Sequence, residues 1–203
     1  MKDLVVLVPD KDVRFGIDGL LSRYQSLNIR MISYEIFIHP MHDPGVYHDA
    51  ANFLRPFSNQ YSYALAFLDR EGSGQQGSAE EIAEHIKRDI ERNGWPTRAE
   101  VVVFDPELEI WIWIESRHTA RALGWDDYLE LKEWLKERGH WEQNASKPRR
   151  PKEALLISLK NRRIPRSSSI YFEIAEKVNL NLCHEPSFER LKDILQQWFP
   201  VSI

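Results

Sequence analysis

Tyr63-Ala64-Leu65-Ala66-Phe67-Leu68-Asp69-Arg70-Glu71-Gly72-Ser73-Gly74 is an apolar run that stops abruptly at two acids and a glycine-rich turn. A short apolar stretch with no polar side, bounded by turn signals, suits a parallel strand covered on both faces. In open α/β sheets ligands bind beyond the carboxyl ends of such strands, which puts Asp69 and Glu71 in the crevice where chemistry is usually done. Side chains two apart on an extended segment point the same way, so the pair is suited to sharing one hard cation through oxygen ligands. An acid at a strand end also caps turns, so the motif alone does not decide between ligand and cap.

The neighbouring segments repeat the pattern. Leu4 to Val8 reads as a first strand, and Val13, Ile17, Leu20, Leu21 and Tyr24 then recur at helical spacing, giving a helix over about 11–25. Asp10 lies in the loop between them, at the same carboxyl edge, where Asp10 or Asp12 is either a helix N-cap or a ligand. Asn28 to Ile38 reads as a second strand ending in His39-Pro40-Met41-His42-Asp43-Pro44-Gly45. With no cysteine nearby, His39, His42 and His48 belong to a solvated or substrate-facing loop rather than a zinc site; His39, directly after the strand, is an active-site neighbour.

Ser78-Ala79-Glu80-Glu81 is a capping box that opens a helix burying Ile82, Ile86 and Ile90 and closing at Asn93-Gly94. Glu100 to Asp105 is a fourth strand, and the strand, helix, strand rhythm predicts a parallel α/β core over 1–115. In Asp105-Pro106-Glu107-Leu108-Glu109-Ile110-Trp111-Ile112-Trp113, aspartate, proline and a first-turn acid are helix-start signals. That predicts a helix whose Glu107 and Glu109 lie just past the fourth strand, with one turned to the crevice of Asp69. From Ser116 onward the pattern is helical, with starts at Pro151 and Pro186, giving a helical extension over 116–203 that packs back on the sheet.

Composition narrows the function classes. A net charge of −4 over 203 residues excludes a protein whose whole surface attracts nucleic acid and leaves room for a local basic patch. That patch is Lys147, Arg149, Arg150, Lys152, Lys160, Arg162, Arg163 and Arg166, with Glu153 the single acid among them, followed by Ser167-Ser168-Ser169. Arginine forks and serine hydroxyls position a phosphate backbone without reading its sequence; the same run also suits a plain solvated face. A single cysteine, Cys183, excludes an internal disulfide framework. Leu4 to Val8 is too short for a signal-peptide core, and no window approaches about 18 apolar residues, so a cytoplasmic protein without membrane association is expected.

The order Leu7-Val8-Pro9-Asp10-Lys11-Asp12, Leu68-Asp69-Arg70-Glu71-Gly72, Pro106-Glu107-Leu108-Glu109-Ile110-Trp111 and Pro151-Lys152 resembles the small stand-alone Toprim-like proteins of bacterial anti-phage defence loci, in particular a component of methylation-associated defence systems. The resemblance covers nearly the full chain. It implies a Toprim-like parallel-sheet core flanked by helices, and a Mg²⁺- or Mn²⁺-dependent nuclease. Asp10, Asp69, Glu71 and Glu109 would be the metal ligands, and Glu107 and Lys152 the catalytic residues. Lys147, Arg149, Arg150, Arg162, Arg163 and Arg166 would hold nucleic acid, DNA in preference to RNA. Partner proteins of the defence system and a homodimer belong to the same expectation. Two departures stand out: Pro9-Asp10 replaces the family's glutamate-glycine after strand one, and Glu71 is the second acid of the pair. The altered first motif favours a non-catalytic binding or scaffold subunit, and the acids after three strands favour the enzyme.

Overall fold

The structure, a computed structural model, describes residues 1–201. Its centre is a four-stranded, all-parallel sheet in the order β2-β1-β3-β4, formed by β1 (Lys2–Val8), β2 (Tyr34–Ile38), β3 (Tyr61–Asp69) and β4 (Ala99–Phe104). The apolar run is its inner strand: Ala64 to Leu68 have no accessible surface. Alternate residues serve opposite faces. Leu65, Phe67, Val102 and Phe104 join one core, and Ala64, Ala66, Leu68, Val101 and Val103 the other.

Strand progress goes from β1 outward to β2, then reverses through β3 to β4. Because parallel crossovers are right-handed, reversal moves the connecting helices to the opposite face. Accordingly α1 (Lys11–Leu21) covers one face, while α2 (His42–Leu54) and α4 (Ala79–Arg92) cover the other, separated by the one-turn α3 (Arg70–Ser73) after β3. The capping box forms as the sequence predicts: Ser78 Oγ accepts from the Glu81 N–H and Glu81 from the Ser78 N–H.

The remaining helices are α5 (Arg117–Ala122), α6 (Tyr128–Glu137), α7 (Pro151–Asn161), α8 (Ser169–Lys177) and α9 (Pro186–Trp198). Their apolar sides, including Leu131, Leu155, Tyr171, Ile174, Phe188 and Leu195, share one continuous core with α1 and the sheet. The docking of α8 on α1 depends on small residues. A Cβ at Gly19 would stand 2.9 Å from the Phe172 carbonyl and 3.0 Å from Ala175 Cβ, whereas one at Gly16 would make only an ordinary contact, 3.8 Å from Tyr171 Cβ. No helix among the described residues is long and apolar enough to cross a membrane.

Two predicted elements differ. The strand expected over 28–38 starts only at Tyr34: the Ser33 carbonyl accepts the Asp3 and Leu4 N–H groups of β1, but its own N–H and hydroxyl go to the Asp3 carboxylate, which also pairs with Arg30, and Ile29 forms an isolated bridge with Pro200. The helix expected after Asp105 is a short 3₁₀ turn, Leu108–Trp111. Every residue from Leu108 to Ile114 is buried, so this segment threads the core and has no polar side on which an amphipathic helix can rest. Asp105 does not cap it; its carboxylate pairs with Arg70 at 2.7 Å.

The α1–α8 crossing gives a direct test. Gly19→Val inserts three carbons against the Phe172 backbone and is expected to cost about 1–3 kcal/mol by overpacking. Chemical denaturation should show this loss; an unchanged midpoint would mean that the two helices are not seated this closely.

Candidate metal centre

The strand order places its reversal between β1 and β3, and the acids gather at the carboxyl edge beside it. Asp69, the last residue of β3, is 6% exposed; its Oδ1 accepts the Leu108 N–H at 2.8 Å, and its own N–H is bound by Asp43 Oδ1 at 2.7 Å. Asp43 comes from the first turn of α2. A Cβ on Gly72 would lie 2.5 Å from Asp43 Oδ2, so this glycine makes room for the Asp43 carboxylate beside the end of β3.

Glu107 and Glu109 arrive on the segment after β4. Glu107 Oε1 accepts the backbone N–H of Lys152 at 3.0 Å, at the amino end of α7, where exposed N–H groups and the helix dipole favour a carboxylate. Glu109 is 1% exposed, and Tyr171 of α8 donates to its Oε1 at 2.6 Å. One ligand oxygen from each of Asp69, Glu107 and Glu109 lies within 4.8 Å of the others. Lys152 Nζ stands 3.7 Å from Glu107 and 3.8 Å from Glu109.

Electrostatics show the strain of this grouping. Burial drives the Asp69 carboxyl well above its ordinary range, and the charges of Asp43 and Glu109 push it further. Burial also raises Glu109, against the opposing pull of Lys152 and the Tyr171 hydroxyl, and raises Asp43, with Asp10 adding to it. For Lys152, burial acts downward, yet Glu109, Asp69 and Glu107 together hold the ammonium above its usual value. One polar atom is left over: Glu109 Oε2 is buried with no hydrogen-bond partner. A buried carboxylate oxygen without a donor is costly unless a cation takes it.

The other expected site residues are distributed differently. Asp10 caps α1, accepting the Val13 N–H at 2.9 Å, and stands outside the trio. Glu71 is exposed on α3 and is not part of the cluster, because the backbone turns helical at Arg70 and the extended geometry that would align it with Asp69 ends there. His39 is buried against α2: its Nδ1 faces the Met41 N–H at 3.2 Å and its ring packs on Phe53. Lys147 binds the Ile110 carbonyl and Glu185, both at 2.7 Å. Arg162 lies over the Trp125 ring, and Arg166 pairs with Asp12 at 2.6 Å, where Ser168 also donates. Arg149, Arg150 and Arg163 are exposed, Arg150 beside Glu153.

Asp43 and Tyr171 are the site residues that sequence reasoning missed. Asp43 had a signal, since it follows a strand at the same edge as Asp10. Tyr171 had none beyond its place on the apolar side of a helix.

The group is suited to a hard divalent cation, which takes oxygen donors almost exclusively, and it lacks the sulfur or imidazole ligands that zinc prefers. A scan against protein-family models and searches of curated proteins and solved structures returned no match.

The raised Asp69 carboxyl yields a prediction whose sign is fixed. A group whose folded pKa lies above its unfolded value of 3.8 binds its proton more tightly when folded, so its ionisation costs stability as pH rises past that value. Asp69→Asn removes the charge and still offers an oxygen to Leu108. In chelator it should therefore be more stable than wild type at pH 7. The gap should close as pH falls below 3.8. A variant less stable than wild type at neutral pH would show that the buried charge is already compensated.

Proposed function

We propose that this chain is a Toprim-like, divalent-metal-dependent phosphodiesterase acting on nucleic acid, with Mg²⁺ or Mn²⁺ as its ion. The observation that carries the reading is the unpartnered, buried Glu109 Oε2 inside a trio of carboxylates that repel one another. Asp69, Glu107 and Glu109 are the proposed ligands, which moves Glu107 from a catalytic role to the ligand set and leaves Glu71 outside it. A bound divalent ion supplies Lewis-acid polarisation of a phosphoryl oxygen and an activated water. The protein's own contributions are positional. Tyr171 fixes the rotamer of Glu109, the first turn of α7 fixes Glu107, and the partly exposed Lys152, now beside Glu107, is the cation that would meet a phosphate.

Arg149, Arg150 and Arg163 are the arginines of the basic stretch best placed for phosphate contacts, DNA in preference to RNA, since Lys147, Arg162 and Arg166 are engaged within the fold. A cytoplasmic setting, a homodimer and partner proteins of a phage-defence locus complete the proposal. The second reading, a non-catalytic binding or scaffold subunit, is favoured by Asp10, whose carboxylate is spent on capping α1.

Calorimetry with Mn²⁺ separates the readings. Wild type should bind Mn²⁺, Asp69→Asn and Glu109→Gln should lose it, and Tyr171→Phe should weaken it by about 10–100-fold as an outer-shell partner. Cleavage of DNA or RNA should vanish with chelator and in Asp69→Asn. Metal binding without cleavage of any nucleic acid would favour the scaffold reading, and no response to millimolar Mn²⁺ would overturn the metal site itself.

A further inference from the structure

Lys152 is held to the acidic trio in an unusual way. Its backbone N–H is fixed by Glu107 Oε1, so the start of the side chain cannot wander. Its ammonium, by contrast, stops 3.7 and 3.8 Å from Glu107 and Glu109, beyond hydrogen-bond length. The Lys152 side chain is about a third exposed, whereas Glu109 is closed off from solvent. The charge is therefore engaged and the geometry is loose. The lysine offsets only part of the acids' charge and does not satisfy Glu109 Oε2, which keeps no partner.

We propose that Lys152 is a resident counter-cation that competes with the divalent ion for Asp69, Glu107 and Glu109, and that its release couples metal binding to phosphate binding. This rests on the proposed metal site. Without metal, the ammonium is drawn inward and the acids repel a phosphate. A divalent ion at the same oxygens repels the ammonium, and the flexible four-carbon stem lets it swing to the solvent side, where a phosphate oxygen is its natural partner. The nearby guanidinium of Arg166 does not substitute for it, being tied to Asp12 on α1, to which Ser168 at the start of α8 also donates. Linkage then requires reciprocity: metal strengthens phosphate binding by the same factor as phosphate strengthens metal binding.

The test is Mn²⁺ calorimetry on wild type, Lys152→Met and Lys152→Arg, with each fold checked by circular dichroism and thermal melting. Lys152→Gln replaces the methionine variant if that one does not fold. Removing the competitor should tighten Mn²⁺ binding about tenfold, while arginine should stay near wild type. A charge-free variant that binds Mn²⁺ equally or more weakly overturns the proposal while the metal site stands. No Mn²⁺ uptake by wild type or variant overturns the site and the proposal together. The second arm measures binding of a labelled single-stranded DNA in the cleavage-blocking presence of Ca²⁺ and in chelator. The gain on adding Ca²⁺ should be clearly smaller in Lys152→Met than in wild type; an equal gain refutes the coupling.

Discussion

Buried negative charge is the constraint on which this molecule turns. Like charges held within a few ångströms in a poorly hydrated place destabilise a fold unless each is met by a donor, a dipole or a cation. The surroundings of Asp69, Glu107 and Glu109 supply one of each: the Leu108 N–H, the amino end of α7 and the Lys152 ammonium. Compensation stops one atom short, at Glu109 Oε2. The same arrangement that leaves this charge uncompensated suits the group to a small hard cation.

The architecture follows from the need to bring these groups to one edge. Parallel strands deliver Asp10, Asp69 and the segment of Glu107 and Glu109 to the same side of the sheet, each from a separate βα connection. The second half of the chain closes over them. Small residues on α1 let α8 approach closely enough for Tyr171 to reach Glu109, and α7 enters with its amino end on Glu107.

Much of this was legible in the residues. The uninterrupted apolar run before Asp69, the capping box at Ser78 and the prolines at 151 and 186 mark real element boundaries, because each is a local signal that tertiary packing reinforces. Glu71 was misplaced because the two-residue alternation holds only while the backbone is extended, and it curls at Arg70. The segment after Asp105 carried helix-start residues, yet its buried Ile and Trp side chains on every side suited a thread through the core. Tyr171 illustrates a deeper limit: a tyrosine on an apolar helix face reads as core, and only a partner 62 positions away reveals what its hydroxyl does.

The division of the centre between early and late sequence sets an order of assembly. The strands and their acids are synthesised before α7 and α8, although all of them belong to one core. At that stage Asp69 and Glu109 have neither the ammonium of Lys152 nor the hydroxyl of Tyr171 to answer their charge. A half-made chain thus carries these acids without the groups that answer their charge, and only the late helices complete the compensation.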